Sequence, residues 1–129
     1  MKRVLTIAPG TIDEDFEHKQ RVLTDIAKRL DLKIQFPPEA RSHEVFDLGR
    51  SRREFRESDL VFADLTLERP SCYFELGIAE CLERPLVLIA KSGTAIHQTA
   101  HRSSVQFYDG MGQYATISES AFRSICGSS

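Results

Sequence analysis

One stretch of the sequence, residues 58–80, combines the signals of a buried strand, a polar loop and a helix. The strand is an apolar run, Leu60–Ala63, that leads directly into the acid Asp64. A loop containing Pro70 follows, and then a helix with Glu75 in or near its first turn. In an open α/β sheet, ligands bind in the crevice where strands end and helices begin. The stretch therefore predicts a fold class and a crevice in which two carboxylates meet.

Strand and helix patterns alternate along the whole chain. The strand patterns are short aliphatic or β-branched runs, at residues 4–8, 33–36, 60–64, 85–90 and 105–108. The helix patterns are amphipathic or charged runs, at residues 14–30, 46–57, 73–82 and 118–126. This alternation predicts an α/β fold with a five-stranded parallel sheet, in a three-layer sandwich of the flavodoxin or Rossmann-like type. The continuous apolar run at 85–90 predicts a central strand that is covered on both faces.

The segments between these elements carry weaker signals. Thr11 or Asp13 is predicted to cap the first helix, because short oxygen-bearing side chains favour that position. Residues 39–45 are polar and irregular, and residues 91–104 form a loop or a weak helix. Residues 109–112, Asp-Gly-Met-Gly, predict a turn before the final helix.

Composition predicts an ordinary globular chain. With 129 residues, of which 41% are apolar and 28% charged, we expect one domain over residues 1–126 and a disordered tail at 127–129. The net charge is −2 and the pI is about 6.1, so we expect no nucleic acid and no membrane as partners. Arginines do cluster within residues 50–56, but the acids among them indicate a solvated helix face.

The cysteines and histidines do not form a recognisable metal site. The three cysteines, Cys72, Cys81 and Cys126, are odd in number and lack metal-type spacing, which favours reduced thiols in a cytoplasmic protein. His97 and His101 are four residues apart and could share a helical face, but two ligands do not make a site. We therefore expect neither a metal nor a cofactor.

Two acids are candidates for chemistry, and each is open to two interpretations. Glu75 could simply favour the positive end of a helix. Its apolar neighbours Phe74 and Leu76, and the small Gly77, would instead desolvate it and suit it to act as a nucleophile or base. Asp64 could cap the loop that follows it, or it could bind a hydroxyl or base of a ligand.

The turn after the first strand is a weaker candidate. Pro9, Gly10 and Thr11 lie between that strand and the next helix. Gly10 allows close approach of the backbone, and the helix offers free N–H groups, so a phosphate or sugar could sit there. An ordinary βα turn is the alternative, because neither a Walker A motif nor GxGxxG is present.

Several motifs together resemble the nucleoside 2-deoxyribosyltransferase superfamily, including deoxynucleoside-monophosphate N-glycosidases and TIR-like nucleotide-binding proteins. The motifs are Asp64-Leu-Thr, Arg69-Pro-Ser, Tyr73-Phe-Glu-Leu-Gly and Arg84-Pro-Leu-Val-Leu. They cover about a quarter of the chain strongly. The resemblance implies a domain that handles nucleosides or nucleotides.

The resemblance also implies roles for individual residues. Glu75 would attack or stabilise the anomeric carbon while a glycosidic C–N bond breaks through an oxocarbenium-like transition state. Asp64 would bind a sugar hydroxyl or base edge, and Tyr73 would orient Glu75 or stack near the ligand. The turn at residues 9–11 would lie at the sugar or phosphate end.

Arg69 departs from the pattern of the transferases, which usually carry an acid six residues before the catalytic glutamate. Arg69 with Pro70 is more similar to the TIR-like branch, and an arginine there could pair with a phosphate. The resemblance thus predicts cleavage or transfer at the N-glycosidic bond of a nucleoside, nucleotide or NAD-type substrate. The alternative is a nucleotide-binding domain that senses or signals without catalysis.

Relatives of this fold commonly form homodimers or larger homo-oligomers, and some complete their pocket with residues of a neighbouring subunit. By analogy, Tyr108, Asp109 and Tyr114 could serve in that way here.

Overall fold

A computed structural model describes residues 1–36 and 47–126 of the chain. The strands are β1 (Arg3–Ile7), β2 (Lys33–Gln35), β3 (Leu60–Asp64), β4 (Leu86–Lys91) and β5 (Gln106–Tyr108). The helices are α1 (Phe16–Arg29), α2 (Leu48–Glu57), α3 (Pro70–Cys81) and α4 (Met111–Arg123). All strand pairs are parallel, in the order β2-β1-β3-β4-β5, which confirms the predicted fold class.

Two apolar cores cover the two faces of the sheet. Because side chains alternate along a strand, Phe62 of β3 packs with α1 and α4, whereas its neighbours Val61 and Ala63 pack with α2 and α3. The prediction of β4 as a central, doubly covered strand is also confirmed, since Leu88 joins one core and Ile89 the other. Every residue of β3 is buried.

The order of the strands creates a crevice between β1 and β3. The chain leaves β1 toward β2 on one side and later returns to β3 on the other side. The loops that follow β1 and β3 therefore diverge, and the carboxyl ends of these two strands are where an open α/β sheet binds its ligands. We call this place the switch-point crevice.

Two helices begin earlier than the sequence patterns predict. Helix α3 begins at Pro70 rather than Tyr73, because proline fits the first helical position, where no N–H is needed. Glu75 is therefore the sixth residue of α3, beyond the first turn, where the helix dipole acts most strongly. Helix α4 spans Met111–Arg123 rather than 118–126, because Gly112 is accommodated inside the helix and Tyr114 packs in the core.

The predicted cap of α1 is wrong. Helix α1 begins at Phe16 with Asp15 as its N-cap residue, and no side-chain cap bond is formed there. The carboxylate of Asp13 accepts a hydrogen bond from the Asp15 N–H, but it lies two residues before the cap. Thr11 lies in a short 3-10 turn, Gly10–Ile12.

The remaining predictions differ in outcome. The arginines of α2 are exposed, as predicted for a solvated helix face. Most of the 91–104 segment is irregular, with a short 3-10 turn at Arg102–Ser104. The irregular segment at 39–45 and the tail at 127–129 lie outside the described residues. Within the described residues, no helix has the length and apolar character needed to cross a membrane.

Candidate active site

A buried ion cluster lies at the carboxyl ends of β1 and β3. The Lys19 ammonium is 2.5 Å from Asp13 Oδ2 and 2.9 Å from Asp64 Oδ2. All three side chains are at most 6% exposed. The ammonium also lies 4.9 Å from the ring centroid of Tyr108 and 5.5 Å from that of Tyr114, within the range of cation–π attraction. We call Asp13, Lys19 and Asp64 the ion cluster.

Lys19 keeps its charge although it is buried. Burial alone lowers the pKa of the Lys19 ammonium, but the charge of Asp64 and hydrogen bonds with Asp13 and Tyr108 raise that pKa above its ordinary value. Lys19 comes from α1, Asp13 from the loop after β1, and Asp64 from the last position of β3. The cluster therefore connects the two walls of the switch-point crevice.

The sequence interpretation missed Lys19 and the role of Asp13. The available signal was the position of Lys19 four residues before Leu23 and seven before Ile26, on the buried stripe of α1. A lysine in line with an apolar stripe requires a buried partner.

Asp64 is occupied by partners within the protein. Its Oδ1 atom accepts the Thr66 N–H at 3.0 Å, and its Oδ2 atom binds Lys19. The Thr66 hydroxyl shares a 3.1 Å hydrogen bond with the Tyr108 hydroxyl and accepts the Lys91 N–H at 3.0 Å. Asp64 thus caps its loop, which was one of its two interpretations, and the network joins the carboxyl ends of β3, β4 and β5.

Glu75 has a different environment from Asp64. Burial and then the negative charge of Glu54, on α2, raise the pKa of the Glu75 carboxyl from 4.5 to about 7. In the described part of the chain, no hydrogen bond or ion pair engages this carboxyl. A Cβ added at Gly77 would meet no described atom within 4 Å, so Gly77 does not mark a close approach. Glu75 can therefore exchange a proton near neutral pH.

The structure does not bring Asp64 and Glu75 together in direct contact. Asp64 follows Ala63 on β3 and so projects to the opposite face, toward α1, whereas Glu75 lies on α3 near Glu54. The expectation that both carboxylates meet in one crevice is corrected accordingly.

The Cys72 thiol lies near both acids. Its burial, followed by the charges of Glu75 and Asp64, raises the pKa of the thiol to about 12. The thiol therefore stays protonated at neutral pH, which makes Cys72 a poor nucleophile.

The loop between β3 and α3 is strained. Leu67 and Glu68 both have positive φ angles, +69° and +46°, which non-glycine residues rarely adopt. Arg69 and Pro70 follow and are exposed. The Arg69 guanidinium forms no ion pair or hydrogen bond with any described residue. It is available to bind an anion at the start of α3.

Tyr73 does not orient Glu75 in this structure. The Tyr73 hydroxyl donates a hydrogen bond to Glu68 Oε1 at 2.7 Å and accepts one from the His97 N–H at 3.3 Å. His97 Nδ1 also lies 2.7 Å from Glu68 Oε1. The hydrogen bonds from Tyr73 and His97 lower the pKa of Glu68. Tyr73 therefore holds the strained loop against the 91–104 segment.

His97 and His101 do not share a helical face, because their segment is irregular. His101 Nδ1 lies 2.8 Å from Glu80 Oε2, while His97 pairs with Glu68. Nor does any group of three His, Cys, Asp or Glu side chains suit a metal ion within residues 1–36 and 47–126.

The turn after β1 lies beside the ion cluster. Gly10 has a φ of +80°, and its carbonyl accepts the Asp13 N–H at 3.0 Å. A Cβ at this position would meet nothing within 4 Å, so the backbone conformation, rather than crowding, favours glycine. Pro9 is half-buried and Thr11 is exposed. The turn therefore forms the β1 wall of the crevice.

Two of the residues predicted to complete the pocket of a neighbouring subunit are too buried to do so. Tyr108 and Tyr114 are each 1% exposed and pack edge to face against each other, 5.1 Å between ring centroids. Asp109 is exposed. The two tyrosines belong to the core under the crevice.

A wider groove lies elsewhere on the described surface. It has a volume of about 670 Å³ and runs along the amino-terminal half of β4, where Glu80, Glu83 and Arg84 line it. It contains no residue of the switch-point crevice. The ion cluster and Arg69, at the start of α3, both lie at the carboxyl edge, which favours that edge as the candidate site.

No protein-family model and no curated protein matches the sequence. Solved structures do match the fold. The CMP N-glycosidase BcmB of Clostridium botulinum has a TM-score of 0.65 at 15% identity, covering 90% of this chain and 97% of that one. A 2-deoxyribosyltransferase of Bacillus psychrosaccharolyticus has a TM-score of 0.65 at 15% identity, covering 95% of each chain.

This chain has the fold of an N-glycosidase and of a deoxyribosyltransferase. A 3-dehydroquinate dehydratase-like protein of Bifidobacterium longum also matches, with a TM-score of 0.56 at 11% identity, covering 98% of this chain and all of that one. The same fold therefore carries different activities, and function has to be argued from the residues of the site.

Removing the cation of the ion cluster should destabilise the fold. Lys19→Met keeps most of the side-chain volume but leaves Asp13 and Asp64 buried without their cation. We expect a loss of about 3–5 kcal/mol in the free energy of unfolding, measured by urea titration. Lys2→Met, at an exposed lysine, should change that energy by less than about 0.5 kcal/mol. A loss equal to that of the control would show that the ion cluster does not hold the crevice.

Glu75 should make stability depend on pH. Its pKa is about 7 in the folded chain and near 4.5 when unfolded, so the unfolded chain ionises first as pH rises. The stability associated with protonated Glu75 is complete below about pH 4.5 and is lost as pH rises through 7. Glu75→Gln should therefore gain melting temperature relative to wild type across that window, whereas Glu57→Gln, at an exposed acid, should not. A difference that is constant with pH would contradict the raised pKa.

Proposed function

We propose that this protein cleaves or transfers at the N-glycosidic bond of a nucleoside or nucleotide, with Glu75 as the reacting carboxyl. The single observation that carries the proposal is the state of Glu75: half-buried, without a described hydrogen-bond or ion-pair partner, and with a pKa of about 7. Support comes from its position on α3, the helix that begins after the carboxyl end of β3. Two proteins of the same fold are named for reactions at this bond.

The chemistry requires a carboxyl group that tolerates both protonation states. As the C–N bond breaks, its electron pair leaves with the base, and positive charge develops on the sugar ring. An ionised Glu75 would stabilise that cation, or capture it as an ester, in a site where burial strengthens the attraction. Water or a second base then attacks the anomeric carbon, and a proton ends on the departed base. Burial and then the charge of Glu54 raise the pKa of Glu75, which keeps the carboxylate basic enough to take part.

Arg69 supports a substrate that carries phosphate. Its guanidinium is exposed, lies at the start of α3, and has no described partner that a phosphate would have to displace. Arginine pairs strongly with phosphate oxygens through two parallel hydrogen bonds. In this proposal Pro70 fixes the start of the helix, and Pro9, Gly10 and Thr11 contact the sugar or phosphate from the opposite wall.

The buried contacts change the roles proposed for Asp64 and Tyr73. Both oxygens of Asp64 already accept hydrogen bonds, so we assign it to positioning the crevice rather than to direct contact with the sugar. Tyr73 fixes the strained loop through Glu68. Nucleotide binding without cleavage is the alternative function, and the following experiment distinguishes the two.

Glu75→Gln should abolish base release. The wild type and the variant would be incubated with a panel of nucleosides, nucleoside monophosphates and NAD, and free base would be measured by chromatography. We expect a loss of at least about 10²-fold, because a neutral amide neither stabilises the cation nor forms an ester. Glu57→Gln, the same change at an exposed position, should retain full activity.

Two outcomes would contradict this assignment. Equal turnover by Glu75→Gln would remove Glu75 as the reacting group. A compound that raises the melting temperature of the wild type but is recovered intact would favour nucleotide binding without catalysis.

Arg69→Gln should weaken selection for phosphate. We expect KM to rise by about tenfold or more for a nucleoside monophosphate, with little change for the matching nucleoside, because a charge-assisted pair contributes roughly 1.5–3 kcal/mol. Arg21→Gln, at an exposed arginine of α1, is the control and should leave both KM values unchanged. An equal rise for both substrates would show that Arg69 does not bind the phosphate.

A further inference from the structure

The two sides of strand β4 differ in how far they are paired. On one side, β3 pairs with β4 from Leu86 to Ile89. On the other side, β5 begins at Gln106, which is level with Ile89, so β5 pairs only with the carboxyl-terminal half of β4. Within the described sheet, residues 86–88 therefore have no strand on that second side. They line the groove of about 670 Å³, which we call the β4 groove.

The backbone of residues 86–88 directs hydrogen-bonding groups toward the β4 groove. The Pro85 and Ile89 carbonyls each accept a 2.8 Å hydrogen bond from an N–H in or just after β3. Because the backbone groups of a strand point alternately to its two sides, those of Leu86 and Leu88 face away from β3. No described group accepts the N–H of either leucine. Leu88 is only 2% exposed, and a backbone N–H removed from water needs a partner.

Negative charge lies beside this unpaired edge. Glu80 and Glu83, at and just after the end of α3, line the β4 groove together with Arg84. The Arg84 guanidinium donates to the Ser58 carbonyl at 2.5 Å and forms no ion pair with a described residue. Glu80 pairs with His101 at 2.8 Å. The exposed Glu83 carboxylate has no described partner, so it is the acid that an incoming cation would meet.

Glu83 occupies a position where the backbone favours a different residue. Its φ is +52°, in the left-handed region in which glycine commonly ends a helix. The Arg84 N–H bonds to the Ala79 carbonyl at 3.2 Å and closes the end of α3. A glycine would adopt this conformation without strain but would provide no carboxylate. The chain thus carries a charge in the β4 groove at a cost in backbone strain.

We propose that the β4 groove binds an extended peptide segment, which adds as a strand beside residues 86–88 and carries basic side chains at alternate positions. The N–H and C=O groups of an extended chain repeat at the spacing of a strand edge, so such a chain can pair with both leucines. Leu86 and Leu88 pack in the core on the α3 side of the sheet. Paired residues on adjacent strands point to the same face, so every second side chain of the segment would lie near Glu83.

Amide hydrogen exchange tests the predicted pairing directly. The probe is a capped hexapeptide, Thr-Lys-Val-Lys-Val-Thr, and exchange in the isotopically labelled full chain would be followed by NMR with and without it. At saturation, exchange at the Leu86 and Leu88 amides should slow by about tenfold or more, because each N–H gains a hydrogen bond. The Val87 and Ile89 amides, which face β3, are internal controls and should not change.

Three related peptides separate main-chain pairing from charge. Two carry backbone N-methyl groups, either on both lysines or on both valines, so that each blocks the N–H groups of one edge only. One of these two should lose binding and the other should retain it, because only one edge of an added strand faces β4. A peptide with glutamate in place of both lysines should bind about fivefold more weakly or worse, because it brings acids to Glu83.

Glu83→Gln removes the proposed charge contact and keeps the length of the side chain. Affinity for the lysine peptide, measured by calorimetry, should fall roughly two- to fivefold, the range expected for an exposed ion pair. Glu17→Gln makes the same change in net charge at an exposed position on α1 and should bind as wild type does.

Four results would overturn the inference. Three are unchanged exchange at the Leu86 and Leu88 amides with the lysine peptide, equal binding of the two N-methylated peptides, and equal affinity of wild type and Glu83→Gln. The fourth is protection of these two amides in the free chain that is lost on dilution, which would show that a second copy of the chain occupies the edge. Failure of base release would refute the proposed function but not this inference, because the β4 groove contains no residue of the switch-point crevice.

Discussion

The contact of the Lys19 ammonium with Asp13 and Asp64 is the interaction on which the architecture of the crevice depends. An open parallel sheet provides a gap between β1 and β3, but the topology alone does not hold the loops on either side of that gap. Lys19 binds one carboxylate from each side, at 2.5 and 2.9 Å, inside the protein. Through Thr66 and Tyr108 the same contact reaches the ends of β4 and β5. The floor of the candidate site is thereby a single hydrogen-bonded unit.

The two candidate acids, Asp64 and Glu75, differ in their solvation and their partners. Asp64 binds the Lys19 ammonium and accepts the Thr66 N–H, whereas Glu75 is partly removed from water and lies near the negative charge of Glu54. Opposite environments of this kind suit two carboxyl groups to different roles. A carboxylate that binds a cation and an N–H donor, as Asp64 does, holds the structure together. A carboxyl group with a pKa near neutrality, as in Glu75, can react. This division supports the assignment of Glu75, rather than Asp64, as the reacting group.

Much of the fold could be predicted from the sequence, because alternating strand and helix patterns permit few arrangements of a parallel sheet. The candidate site was less predictable. The face to which Asp64 projects depends on the pairing of β3, and the burial of Lys19 depends on how α1 packs, and both are tertiary facts. Helix α4 was predicted too short because Gly112 suggests a turn, although Tyr114 and Phe122 supply enough buried surface to keep the helix intact. Glu75 was identified through the motif around it, which lies within one continuous segment.

The strained loop at Leu67 and Glu68 has a consequence for the kinetics of recognition. Neither residue is glycine, so their left-handed conformations persist only because surrounding contacts, such as the bond from Tyr73 to Glu68, hold them. A loop fixed in this way presents Arg69 in one arrangement before any ligand arrives. Ordering that loop then contributes little to the entropy lost on binding. We expect a ligand to associate with this wall in one step, at a rate set by encounter and orientation rather than by loop closure.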